Sequence, residues 1–84
     1  MAKSVDVYIG EKLKEVREKL NLTQNELAGA TGYSQPAVAR FELNKVPTPL
    51  CLVKVIERDL NEPELLEIWL DKVHEIAMKP LGGC

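Results

Sequence analysis

Few residues in this 84-residue sequence have the types and spacing that catalysis demands. His74 is the one histidine, and it falls on the charged side of a helical pattern beside Glu67, Asp71 and Glu75. An acid–base or metal role competes there with that of a solvated surface histidine, and the surface role is the simpler reading. Cys51 and Cys84 cannot build a disulfide framework or a metal cage unaided. There is no Ser/His/Asp arrangement and no glycine-rich phosphate loop. No catalytic centre, metal or cofactor is expected. The chemistry that remains is hydrogen-bond recognition. Arg40 offers a planar fork of donors, and Gln35 a donor and an acceptor side by side.

Such contacts need a folded support, and the composition provides for a small one. The hydrophobic fraction is 45% and the charged fraction 29%, ordinary globular values that argue against a disordered chain. No run approaches the roughly 20 apolar residues of a membrane span, and the amino-terminus lacks a signal-peptide pattern. With two cysteines and no leader, a reduced cytoplasmic protein is expected. The net charge is −2, which would discourage a nucleic-acid reading if it were evenly spread. It is not: residues 1–47 carry 7 basic and 6 acidic residues and residues 48–84 carry 4 and 7, so the acidity belongs to the carboxyl-terminal half. A core this small gains from oligomerisation.

Turn signals divide the chain into five helix-sized pieces, and no segment alternates with period 2 for long enough to make a strand. The first helix is expected from about Asp6 to Leu20, capped by Asp6 or Ser4, with Ile9, Leu13, Val16 and Leu20 on one stripe. Arg17 lies at the edge of that stripe, an odd place for an unpaired charge. Thr23 and Glu26 form a capping box that opens a short second helix, and Gly32 stops it. Ser34 caps the third, with Pro36 in its first turn and Val38 and Phe41 inward. Thr48-Pro49 reads as a cap-then-proline start for the fourth, with Leu50, Leu52 or Val53, and Ile56 inward. Cys51 is expected to pack there as a small apolar residue. Asn61-Glu62-Pro63-Glu64 opens the fifth helix, which runs to about Met78. Its apolar side holds Leu65, Leu66, Trp69, Leu70, Val73, Ile76 and Ala77, and Gly82-Gly83-Cys84 reads as a flexible tail.

The stretch from Thr23 to Phe41, TQNELAGATGYSQPAVARF, closely resembles the helix-turn-helix of the XRE family, the Cro and phage-repressor type of DNA-binding domain. The resemblance extends without a gap from Ile9-Gly10 to Leu60. It implies an all-α, compact five-helix domain of the lambda-repressor-like type, with a central helix-turn-helix over residues 23–42 of a DNA-binding core at 1–60. The second motif helix is then the recognition helix, set in the major groove. With Val38 and Phe41 inward, its opposite side offers Gln35, Pro36, Ala39 and Arg40 to bases, Pro36 and the alanines through apolar contact with a thymine methyl.

Further roles follow from the same resemblance. Gln24 and Gln35 occupy the places of two glutamines that hydrogen-bond each other in phage repressors, the first of which also touches a phosphate. Ser34 is a helix cap first and a phosphate contact second. Tyr33, in the turn, either touches a phosphate through its hydroxyl or packs. Arg17 and Glu42 match a structural ion pair of some members, tying the first helix to the recognition helix. Where the family often has Asn-Gly-Lys, this chain has Leu43-Asn44-Lys45. Asn44 can adopt the left-handed turn, and Asn44 and Lys45 are both expected as phosphate contacts. Leu43 cannot supply the phosphate contact of the family's asparagine, and a moderate salt dependence is expected.

The fifth helix has an apolar arc of roughly 200°, wider than the stripe of about 100° that rests a surface helix on its own domain. A homodimer is the economical reading, with residues 61–79 as its dimerisation element and Leu66, Trp69, Leu70 and Val73 at the interface. The bland alternative is a helix wrapped more fully round a small core. The expected function is sequence-specific binding of an inverted-repeat operator in double-stranded DNA by a dimer that represses transcription. A second reading is an antitoxin or other interaction module whose last helix binds a protein partner, with DNA binding secondary.

Overall fold

The computed structural model describes residues 6–78, which form five helices and, within that range, no strand. They are α1 (Gly10–Lys19), α2 (Gln24–Thr31), α3 (Gln35–Glu42), α4 (Leu50–Asp59) and α5 (Glu64–Met78). The 80–84 tail, the Ser4 cap and the side chain of Ala77 lie outside what is described. No described helix is long and apolar enough to cross a membrane.

The short central helices start where the sequence places them. Glu26 N–H donates to Thr23 Oγ1 at 3.0 Å while Thr23 N–H donates to Glu26 Oε1 at 2.8 Å, so two otherwise orphan donors are satisfied. Ser34 Oγ accepts from Ala37 N–H at 3.3 Å, and Pro36 sits in the first turn of α3. Gly32 ends α2 in the left-handed region at φ 82°.

Two helix starts depart from expectation. α1 begins at Gly10 rather than near Asp6; Ile9 is its N-cap and supplies no side-chain cap bond of its own. Asp6 is therefore not its cap. The reason is packing: Val7 and Ile9 are buried in the non-helical chain leading to the helix, and Val7 C=O accepts from Thr48 N–H at 2.7 Å. Likewise α4 begins at Leu50 with Pro49 as N-cap and no side-chain cap bond. Thr48 is buried instead, its backbone N–H on Val7 and its carbonyl accepting from Trp69 Nε1–H at 2.8 Å. α5 starts at Glu64, three residues after Asn61, which adopts a left-handed turn at φ 57°.

A dipeptide that recurs in the chain explains how the helices stop. Leu20-Asn21, Leu43-Asn44 and Leu60-Asn61 follow α1, α3 and α4, and each asparagine is left-handed, at φ 59°, 59° and 57°. After α1, Leu22 N–H bonds Arg17 C=O and Asn21 N–H bonds Glu18 C=O, both at 3.0 Å, a Schellman closure. After α3, Lys45 N–H on Arg40 C=O at 2.9 Å and Asn44 N–H on Phe41 C=O at 3.1 Å repeat it.

The core collects Leu13 and Val16 of α1, Leu27 and Ala28 of α2, Val38 and Phe41 of α3, Leu52, Val53 and Ile56 of α4, and Leu65 of α5. Both Leu52 and Val53 are inward and Leu50 is only half-buried. Cys51 is not packed inside: it is exposed, because the turn of α4 that buries Leu52 and Val53 points residue 51 away.

Candidate nucleic-acid interface

Local geometry builds the site on α2, α3 and the chain that follows α3. Val38 and Phe41 are buried, and the 3.6-residue period then turns Gln35, Pro36 and Arg40 to solvent, with Ala39 half-buried between them. These are the four residues expected to meet bases, and they run along α3 from its first residue to its last turn.

A chain of polar contacts runs from α1 to that surface. Arg17 and Glu42 meet in a fork, Nε–H on Oε2 at 2.6 Å and Nη2–H on Oε1 at 3.2 Å. Arg17 Nη1–H also donates to the Leu22 carbonyl at 2.8 Å. The carboxylate is 2% exposed and the guanidinium side chain 12%, so the pair is largely withdrawn from water. The hydrogen bond to Glu42, against a smaller desolvation effect, raises the Arg17 pKa above its ordinary value, and the charge is fixed. Gln24 Nε2–H donates to Glu42 Oε1 at 3.0 Å, and Gln35 Nε2–H donates to Gln24 Oε1 at 2.7 Å. The structure brings the Arg17–Glu42 pair together, brings Gln24 and Gln35 together, and joins the two through a bond that the sequence reading did not contain.

The segment after α3 is held from three sides. Asn44 Oδ1 accepts from Gly10 N–H at 2.9 Å, capping α1 from outside its own segment. A Cβ on Gly10 would fall inside 3.0 Å of the Phe41 and Glu42 carbonyl oxygens and of Asn44 Oδ1. Only glycine permits that approach of α1 to the end of α3. The Thr48 bonds to Val7 and Trp69 fix the far end of the segment. Lys45 is exposed on it, and Leu43 stands 65% exposed where the family has asparagine.

Tyr33 packs its ring edge-on against Phe41, with centroids 5.3 Å apart and planes at 87°. Burial, then the nearby Cys51, raises its pKa, so the hydroxyl keeps its proton. Ser34 is exposed beside it. A groove of about 620 Å³ runs between α1 and α3, and Lys14, Arg17, Gln24, Ala39, Leu43 and Asn44 are among its walls. Lys14 had no role in the sequence reading, although it lies three residues before Arg17 and hence on the same helical face. Arg40, Lys45 and Lys14 enter no ion pair among the described residues.

On α5, the four residues expected at a dimer interface divide. Leu66, Trp69 and Val73 pack in part against the chain's own core, and the Trp69 indole is bonded to Thr48. Leu70 is 49% exposed, and Ile76 further along the helix is 46% exposed. His74 is exposed, as a solvated histidine would be.

A family model described as Helix-turn-helix matches residues 13–66, more than half of the chain, and its span contains α2, the turn and α3 whole. No curated protein and no solved structure matches the chain.

Proposed function

The chain belongs to the XRE-type helix-turn-helix family of DNA-binding transcription regulators, and from that premise we propose that it is a non-catalytic, cytoplasmic repressor binding a specific double-stranded operator as a homodimer. In this reading α3 enters the major groove. Gln35 meets an adenine edge, Arg40 a guanine edge, and Pro36 and Ala39 a thymine methyl. Gln24, Tyr33, Ser34, Asn44 and Lys45 meet the phosphates on either side, and Lys14 adds a positive charge along the groove beside them. Two copies joined through residues 61–79 place two α3 helices about one DNA turn apart on an inverted repeat, and polymerase is blocked sterically.

The observation that carries the reading is the 2.7 Å bond from Gln35 to Gln24. It joins the first residues of α2 and α3, so that the side chain aimed at a base and the one aimed at a phosphate are held in one frame. A competing use of α5, as the docking helix of an antitoxin for a partner protein, draws on the exposed Leu70 and Ile76. Titration of ¹⁵N-labelled protein with duplex DNA at low salt separates them. The DNA reading expects amide shifts concentrated at residues 24, 33–36, 39–40 and 44–45. Shifts absent there contradict it.

A further inference from the structure

We infer that Glu42, though withdrawn from the surface, is a specificity-determining positioning residue: through Gln24 it fixes which way round the Gln35 carboxamide faces DNA. The inference rests on α3 being the base-reading helix and adds what sets the hydrogen-bonding polarity of its leading side chain.

The logic needs only donors and acceptors. Glu42 is an acceptor on both oxygens, and its charge is held by the Arg17 fork. The Gln24 carboxamide, 3.0 Å away, must therefore turn its NH₂ toward Glu42 and its oxygen outward. That oxygen lies 2.7 Å from Gln35 Nε2, so Gln35 must answer with an N–H. One Gln35 N–H is consumed, leaving one N–H and the carbonyl oxygen. Adenine presents one acceptor and one donor in the major groove, N7 and N6–H₂, and that remainder matches it. Guanine presents two acceptors, N7 and O6, and would need the N–H already spent. A buried carboxylate that touches no base thereby favours adenine over guanine.

Glu42→Gln reverses the chain. Its oxygen keeps the shorter contact with Arg17 Nε, and its NH₂ takes the Oε1 position that faces Gln24, giving up the longer bond from Arg17 Nη2–H. Gln24 then turns its oxygen inward and its NH₂ outward, Gln35 accepts through its oxygen, and both Gln35 N–H groups are freed for guanine.

The experiment compares wild type and Glu42→Gln by selection from random duplex DNA, with the relevant base pair identified as the one whose preference Gln35→Ala abolishes. The expected result is a fall of about tenfold or more in adenine-over-guanine preference at that pair, with the pair read by Arg40 unchanged. Uniform weakening with the preference intact would overturn the inference. Should Glu42→Gln fail to fold, Gln24→Met leaves the Arg17–Glu42 fork untouched and must lose the same discrimination; keeping it overturns the inference equally. A DNA-free measurement separates this claim from the binding reading. In the free protein, the side-chain NH₂ resonances of Gln35 must move on Glu42→Gln while the α5 amides stay in place. Unmoved Gln35 resonances refute the relay, and a wild type that selects no sequence refutes the operator reading while those resonances still decide the relay.

Discussion

Arg17 and Glu42, 25 residues apart in sequence, close a two-bond fork between the last turn of α1 and the last residue of α3. The fork ties the end of α1 to the end of α3, and its burial gives it energetic weight. Removing one partner strands the other charge away from water. Arg17→Met is expected to cost about 3–5 kcal/mol in urea unfolding, whereas the double change Arg17→Met with Glu42→Leu restores most of that loss. A double variant as unstable as the single one would show that the pair is not the source of the cost.

Gly10 tests the same junction from the backbone. An alanine methyl would collide with the Phe41 and Glu42 carbonyl oxygens and with the Asn44 side chain. None of these is the free end of a long flexible chain, so α1 must shift. Gly10→Ala should lose about 1–3 kcal/mol in thermal or urea melts, the usual cost of overpacking. Gly29 has open space at its Cβ position, and Gly29→Ala, inside α2, should stabilise by up to about 1 kcal/mol. Equal effects from the two changes would contradict the close approach.

The dimer proposal concentrates on Leu70 and Ile76, which lie exposed while Leu66, Trp69 and Val73 partly serve the chain's own core. Leu70→Glu with Ile76→Glu should convert a sedimenting dimer to a monomer and leave the far-ultraviolet helical signal unchanged. An unchanged sedimentation coefficient would move the interface elsewhere.

Arg40 and Lys45 are both exposed cations yet should behave differently. Arg40→Ala is expected to cost about 1–3 kcal/mol on the correct operator and to flatten preference at one base pair. Lys45→Ala should weaken all duplexes alike and lower the salt slope by about 1. Binding titrations on operator variants at several salt concentrations distinguish the two patterns.

Much of this was legible in the sequence because the signals are local. The Thr23–Glu26 box, the Ser34 cap and Gly32 each act within a few residues, and the helices they bound fall where expected. The starts of α1 and α4 were misplaced for the opposite reason. Asp6 and Thr48 are good caps locally, but burial of Val7 and Ile9 and the bonds of Thr48 to Val7 and Trp69 are long-range and prevailed. For Asn44 the sequence suggests a turn and a phosphate contact. That its carbonyl caps α1 at Gly10 depends on a contact across 34 residues, which no local pattern records. The thrice-repeated Leu-Asn dipeptide was, by contrast, present in the sequence, and a left-handed asparagine after each helix is what it signals.

In the proposed function α3 reads a specific duplex sequence in two symmetric copies. Selection of bound fragments from random double-stranded DNA tests it most directly. An enriched inverted repeat with half-site centres about 10 base pairs apart is expected, each half-site losing its preference at one position in Gln35→Ala and at another in Arg40→Ala. Folded protein that enriches no sequence at low salt would contradict it and leave α5, with Leu70 and Ile76, as the surface that meets a partner.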